Sequence, residues 1–214
     1  MLFKNMLLYY SKLMAMRFSI GTILKNDVTI KSYLKSSKIV IKGIDNKIEI
    51  NSGDHKNLRL FIEGNYNHIV FEENIYSRDI TLIVQGNKHY IKVGSNTAMA
   101  KASLVCCGKN TQKIEIGSNC MFAAGLNIKT CDGHTIYDKD SQIINHSKNV
   151  IIGDNVWIAQ DVTILKGCKI DNGCIVAMKS LCTSQKYFQK QSMIAGIPAK
   201  IIKSNIYWKK ENLC

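Results

Sequence analysis

With 214 residues, 46% of them hydrophobic and 21% charged, the chain is long enough to bury a substantial core and has an ordinary globular make-up. One proline, Pro198, leaves no proline-rich linker at which to divide it. The 29 Lys and Arg against 16 Asp and Glu give +13 and point to an anionic partner, but lysines spread along the whole chain speak against nucleic acid.

Residues 1–24 begin MLFKNMLLYYSKLMAMRFSI, a pattern that puts Phe3, Met6, Leu7, Tyr10, Leu13 and Met14 on one helical face. The apolar run Met6–Tyr10 is too short to span a bilayer, and Lys4, Lys12 and Arg17 break up a signal-peptide core. This segment is expected to be a short helix capping the open end of a solenoid, with contact to a membrane surface as the alternative.

Residues 25–110 carry a loose repeat. IKGIDNKIEI (41–50), IEGNYNHIVF (62–71) and VQGNKHYIKV (84–93) place Gly43, Gly64 and Gly86 at spacings of 21 and 22 residues, each ahead of an alternating, strand-like run. They predict larger, less regular coils with no recognisable chemistry. His55, His68 and His89, which lie in them, are read as surface or packing residues.

From Ile114 to Pro198, within the region 111–214, the period tightens to six: I116-GSNCM and F122-AAGLN, then I152-GDNVW, I158-AQDVT, I164-LKGCK, I170-DNGCI and V176-AMKSL. The first position of each is apolar and the fifth is typically small or β-branched, as at Cys120, Val156, Val162, Cys168, Cys174 and Ser180. Neither helical periodicity nor simple alternation produces this. It fits a parallel β-helix in which short strands turn at corners made permissive by Gly and Asn. Eight cysteines without a C-x-x-C pair read as reduced thiols, several of them core residues, in a reducing, cytoplasmic compartment. One polar stretch, Lys129 to Asn149, interrupts the register and is expected to be an extruded functional loop.

Within that loop, D-G-H at 132–134 is followed by V-W-I-A at 156–159 and A-G-I-P-A-K at 195–200. Together these motifs resemble the hexapeptide-repeat acyltransferases, an all-β family with a left-handed parallel β-helix. Within that family the chain is most similar to the O-acetyltransferases of capsular polysaccharides, including sialic and polysialic acid. The resemblance runs from Ile114 to about Ile202. It implies acetyl-CoA as co-substrate without a metal, a polysaccharide acceptor, and a homotrimer with active sites between subunits. A place at the inner face of the membrane would suit such an enzyme.

The resemblance also assigns residues. His134 would be the general base, a role suited to an imidazole facing a weakly acidic sugar hydroxyl, with backbone N–H groups holding the oxyanion. Trp157 stands at an outward position, where an aromatic suggests an interface or a ligand platform, and it matches a tryptophan lining the family's active site. Acetyl-CoA would run along Ala159, Gln160, Met178 and Thr183, with Lys200 and Lys203 pairing with its phosphates. Asp132, Tyr137 and His146 are candidates for acceptor contact. Asp132, Asp138 and a backbone carbonyl each remain open as the group orienting His134. Where the family has W-I-G, G-A-G-S and V-T-K, this chain has Trp157-Ile158-Ala159, Ala177-Met178-Lys179-Ser180 and Cys182-Thr183-Ser184, so its cofactor contacts depart from the common pattern.

Other classes fit less well. A γ-type carbonic anhydrase needs three zinc-bound histidines, and a non-catalytic solenoid binding module needs neither D-G-H nor A-G-I-P-A-K. An N-acetyltransferase of a nucleotide-linked amino sugar shares the same requirements and is the main alternative.

Overall fold

The computed structural model describes residues 17–18, 25–183 and 186–211, and among them every regular element is a strand. The helical cap expected over residues 1–24 falls largely outside the described residues; Arg17–Phe18, inside that range, is a strand, β1, rather than part of a helix. β2 (Asp27–Ile30) and β3 (Tyr33–Lys35) complete the opening coil. Three longer coils follow: β4 (Lys38–Lys42), β5 (Lys47–Ile50) and β6 (Gly53–Lys56); β7 (Arg59–Glu63), β8 (His68–Phe71) and β9 (Ile75–Arg78); β10 (Thr81–Gln85), β11 (Tyr90–Val93) and β12 (Ala98–Ala100). Next come β13 (Ala102–Cys107), β14 (Lys113–Ile116) and β15 (Met121–Phe122), then β16 (Leu126–Lys129), β17 (Val150–Ile152) and β18 (Trp157–Ile158). The final coils are β19 (Thr163–Ile164), β20 (Lys169–Ile170) and β21 (Ile175–Val176), then β22 (Leu181–Cys182), β23 (Tyr187–Phe188) and β24 (Ser192–Gly196), with β25 (Ala199–Ser204) folding back on β24.

Every third strand is a hydrogen-bonded parallel neighbour, which gives three sheets. Sheet A runs from β1 through β4 to β22, sheet B from β2 to β23, and sheet C from β3 to β24 with β25 antiparallel at its end. The coils were expected to be less regular in the N-terminal half. They are longer but stack without a register shift, Lys38 opposite Arg59, Thr81 and Ser103 in turn. The true 18-residue hexapeptide coil appears from Ile151 opposite Lys169 and continues through Trp157 opposite Ile175 and Thr163 opposite Leu181.

Side chains at the inward positions form continuous columns. On sheet B, Ile50, Phe71, Val93, Ile116, Ile152, Ile170 and Phe188 stack in register, none more than 3% exposed. Removing such a side chain from water contributes about 1.5–3 kcal/mol, and the column repeats that gain on each coil. The fifth-position residues Cys120, Val156, Val162, Cys168, Cys174 and Ser180 are likewise buried.

The glycines of the N-terminal repeat have a steric cause. A Cβ on Gly43 would lie 2.0 Å from the Gly64 carbonyl oxygen, and one on Gly64 would lie 1.9 Å from that of Gly86. Stacked backbone fills the space, and φ is +149° and +138° at the two. A polar ladder runs beside them. The Asn67 side chain donates to Asn46 Oδ1 at 2.9 Å, the His89 N–H donates to Asn67 Oδ1 at 2.8 Å, and His89 Nδ1 accepts from the Gln112 N–H at 3.0 Å. His89 is therefore a packing residue, and so is His55, held between Ser77 and Ser32.

Candidate active site

The interruption between β16 and β17 leaves the solenoid at the corner between sheets A and B. Its outward part is a small hairpin. Tyr137 and Ile143 bridge antiparallel, the Ile144 N–H donates to the Ile136 carbonyl at 3.0 Å, and Asp138 Oδ1 accepts the N–H groups of Asp140 and Gln142 at 2.9 Å each. Asp138 thus caps the hairpin turn.

At the loop's root the structure overturns one expectation. Cys107 and Cys131 are not free thiols but are joined as a disulfide. The register of β13 against β16 explains the pairing, because Val105 lies opposite Lys129 and the same offset sets Cys131 beside Cys107 on the next coil. Between them Thr130 Oγ1 accepts from the Cys107 N–H and donates to its carbonyl, at 2.8 and 2.9 Å. Cys106, Cys120, Cys168, Cys174 and Cys182 are free and buried. With this disulfide in place, the cysteines no longer point to a reducing compartment.

A cleft of about 470 Å³ opens between this loop and the turn after β13, and His134 and His146 both line it. Lys109 and Lys129 line it as well. His134 follows Gly133, whose φ of +90° favours glycine although an added Cβ would meet open space. Among the described residues the His134 ring makes no hydrogen bond, whereas its carbonyl accepts from Asn145 Nδ2 at 2.7 Å. The Asp132 carboxylate is turned away to Lys166 and to Asn145 Nδ2, the latter at 3.0 Å. Burial pushes the Asp132 carboxyl up, but hydrogen bonds from Lys166 and Asn145 and the charge of Lys166 outweigh it and hold the group below its ordinary range. Neither the Asp132 nor the Asp138 carboxylate therefore hydrogen-bonds the imidazole. Tyr137 is exposed near the hairpin tip, outside the cleft.

The remaining sequence-derived candidates lie elsewhere on the prism. Trp157 points outward from sheet C, between Met121 and Ile175 on neighbouring coils. Ala159, Gln160 and Met178 share the corner after the sheet C strands, where Ala123, Ala159, Ala177 and Ala195 recur on successive coils as a track of small side chains. Thr183 is apart from them, following β22 at the corner between sheets A and B. Lys200 and Lys203 are exposed on β25, opposite Ala195 and Met193. Two residues were not singled out by the sequence: Trp208, which packs on Trp157 and lies past the last repeat, and Lys166, which sits in a hexad at a place that the repeat leaves outward.

This geometry can be set beside known proteins. Residues 149–184 match the bacterial transferase hexapeptide (six repeats) model. The chain is 31% identical over 193 residues to the polysialic acid O-acetyltransferase of Neisseria meningitidis, a match covering 79% of this chain and 88% of that one. The chain belongs to the hexapeptide-repeat acetyltransferases. The polysialic acid O-acetyltransferase of Escherichia coli O1:K1 / APEC is also 31% identical, over 56% of this chain and 42% of its own length. Among solved structures, the polysialic acid O-acetyltransferase OatWY superposes with a TM-score of 0.77 at 26% identity, covering 92% of both chains. The polySia-specific acetyltransferase NeuO gives 0.79 at 25% identity over 94% of this chain and 89% of its own. The acetyltransferase shares the left-handed parallel β-helix of these neighbours through its N-terminal coils as well as the hexapeptide region.

Proposed function

We propose that the acetyltransferase moves the acetyl group of acetyl-CoA to a hydroxyl of a sialic-acid-type capsular polysaccharide, with His134 as general base. One observation carries this reading: the His134 imidazole lines a cleft with its ring nitrogens unengaged, beside two lysines that suit a carboxylated sugar. The named activities of the two polysialic acid relatives support the acceptor. His134 takes the proton of the sugar hydroxyl as its oxygen attacks the thioester carbonyl. The carbon–sulfur bond breaks, and the departing thiolate recovers the proton from the imidazolium. His146, on the same cleft, is an acceptor contact.

For the donor, the small side chains of the alanine track leave room for a pantetheine arm past Ala159, Gln160 and Met178. The ammonium groups of Lys200 and Lys203 suit phosphates. Thr183 is the least supported of this set, since it stands at another corner. In one chain the track and Trp157 lie away from the His134 loop. A homotrimer that packs the A–B corner of one protomer against sheet C of the next would unite them.

The test measures release of CoA thiol with polysialic acid, neutral capsular sugars and UDP-amino sugars side by side. Turnover with polysialic acid is expected; turnover with the amines alone would replace O-transfer by N-transfer. Light scattering checks the assembly, and a monomer at assay concentration would remove the shared site.

A further inference from the structure

Lys166 occupies the third place of its hexad, I164-LKGCK, a place that is exposed at Asp154, Gln160, Asn172 and Met178. Here it is 8% exposed, and among the described residues it is the one lysine, arginine or carboxylate that is buried. An ammonium withdrawn from water needs close partners. All of those it has belong to the extruded loop rather than to the coil that carries it: the Asp132 carboxylate, and the Asn145 carbonyl at 2.9 Å. Asn145 spends its side chain on the same task. Its Nδ2 donates to the Asp132 carboxylate and to the His134 carbonyl, and its Oδ1 accepts the Ile136 N–H at 2.7 Å. The two legs of the loop are thereby tied on either side of His134, while the imidazole is left unbonded.

We propose that Lys166 is a positioning residue: through Asp132 and Asn145 it fixes the backbone around His134 so that the ring faces the cleft. This role rests on the reading of His134 as the base. A side chain serving only to fill the corner would not gather its bonds on the loop, and the hexad pattern elsewhere supplies smaller or solvated residues for that corner position.

Full-length wild type, Lys166→Met and Lys166→Arg should be compared by hydrogen exchange over residues 132–146, by thermal melting, and by kinetics with acetyl-CoA and polysialic acid. Lys166→Met should exchange faster in that loop and lose on the order of 10–100-fold in kcat, with KM for acetyl-CoA held within about twofold. Lys166→Arg should recover most of kcat. Unchanged loop exchange overturns the proposal, and so does a lowered melting temperature with kcat preserved. If Lys166→Met does not fold, Asn145→Ala takes its place: faster loop exchange with lowered kcat supports the proposal, and unchanged exchange overturns it. If the wild type acetylates no acceptor, the functional reading falls, and loop exchange alone then decides whether Lys166 holds the loop.

Discussion

The indole of Trp208 sits 6.0 Å from that of Trp157, centroid to centroid and tilted by 45°, and donates its Nε1–H to the Asn155 carbonyl at 2.7 Å. The C-terminal segment thus returns along sheet C, where Lys210 Nζ also donates to the Asn96 carbonyl at 2.9 Å. Part of the outward surface of Trp157 is covered by its own chain.

Trp208→Ala is expected to cost about 3 kcal/mol, the low end for a buried tryptophan. Trp208→Phe, which keeps a ring but loses the hydrogen bond, should cost about 1 kcal/mol. Urea unfolding of the two variants reads the difference; equal losses would mean that the ring contact contributes nothing beyond the bond.

His134→Ala should lower kcat by about 10²–10⁴-fold without moving the melting temperature, because the side chain is exposed and unbonded. His146→Ala should cost much less and act chiefly on acceptor KM. Comparable kcat losses in both would assign proton transfer to the pair rather than to His134.

Peptide mapping without reductant should recover Cys107 and Cys131 in one linked fragment. Cys131→Ser should then lower stability by about 3 kcal/mol, as expected for a closed loop of this size. Alkylation of both cysteines in unfolded, unreduced protein would show that the bond is absent in solution.

Burial pushes the His55 imidazole down to about 4 from 6.5; Asp54 opposes that shift and Arg78 adds to it. The unfolded chain therefore binds the extra proton first. Stability should fall as pH drops from about 6.5 to about 4 and be indifferent to this group above that window, a loss of about 3 kcal/mol at most. Urea midpoints at pH 7.5 and pH 4.5 test it, and His55→Gln should flatten the dependence. An identical slope in wild type and variant would assign the pH effect elsewhere.

The hexapeptide coils were legible because a single spacing rule puts Ile158, Ile164 and Ile170 inside and Trp157 outside. The loop was legible as a break in that rule. His134 could be singled out by its motif, but its surroundings could not, since they depend on how the loop folds back. Lys166 reads as one more outward lysine until the loop covers it. Cys107 and Cys131 are 24 residues apart and meet only because the coil between them has that length. Trp208 lies past the last repeat, where no periodicity says which face the tail follows.

Trp157, Ile175 and Met193 hold the same outward position on three successive coils, with Lys203 opposite Met193. Each coil advances the chain by about 4.8 Å. One inserted 18-residue turn below β24 would carry Lys203 a single step further from Trp157 without rotating either residue. The reach between these two groups is therefore quantised: this scaffold can change it only in whole notches, as a ratchet does.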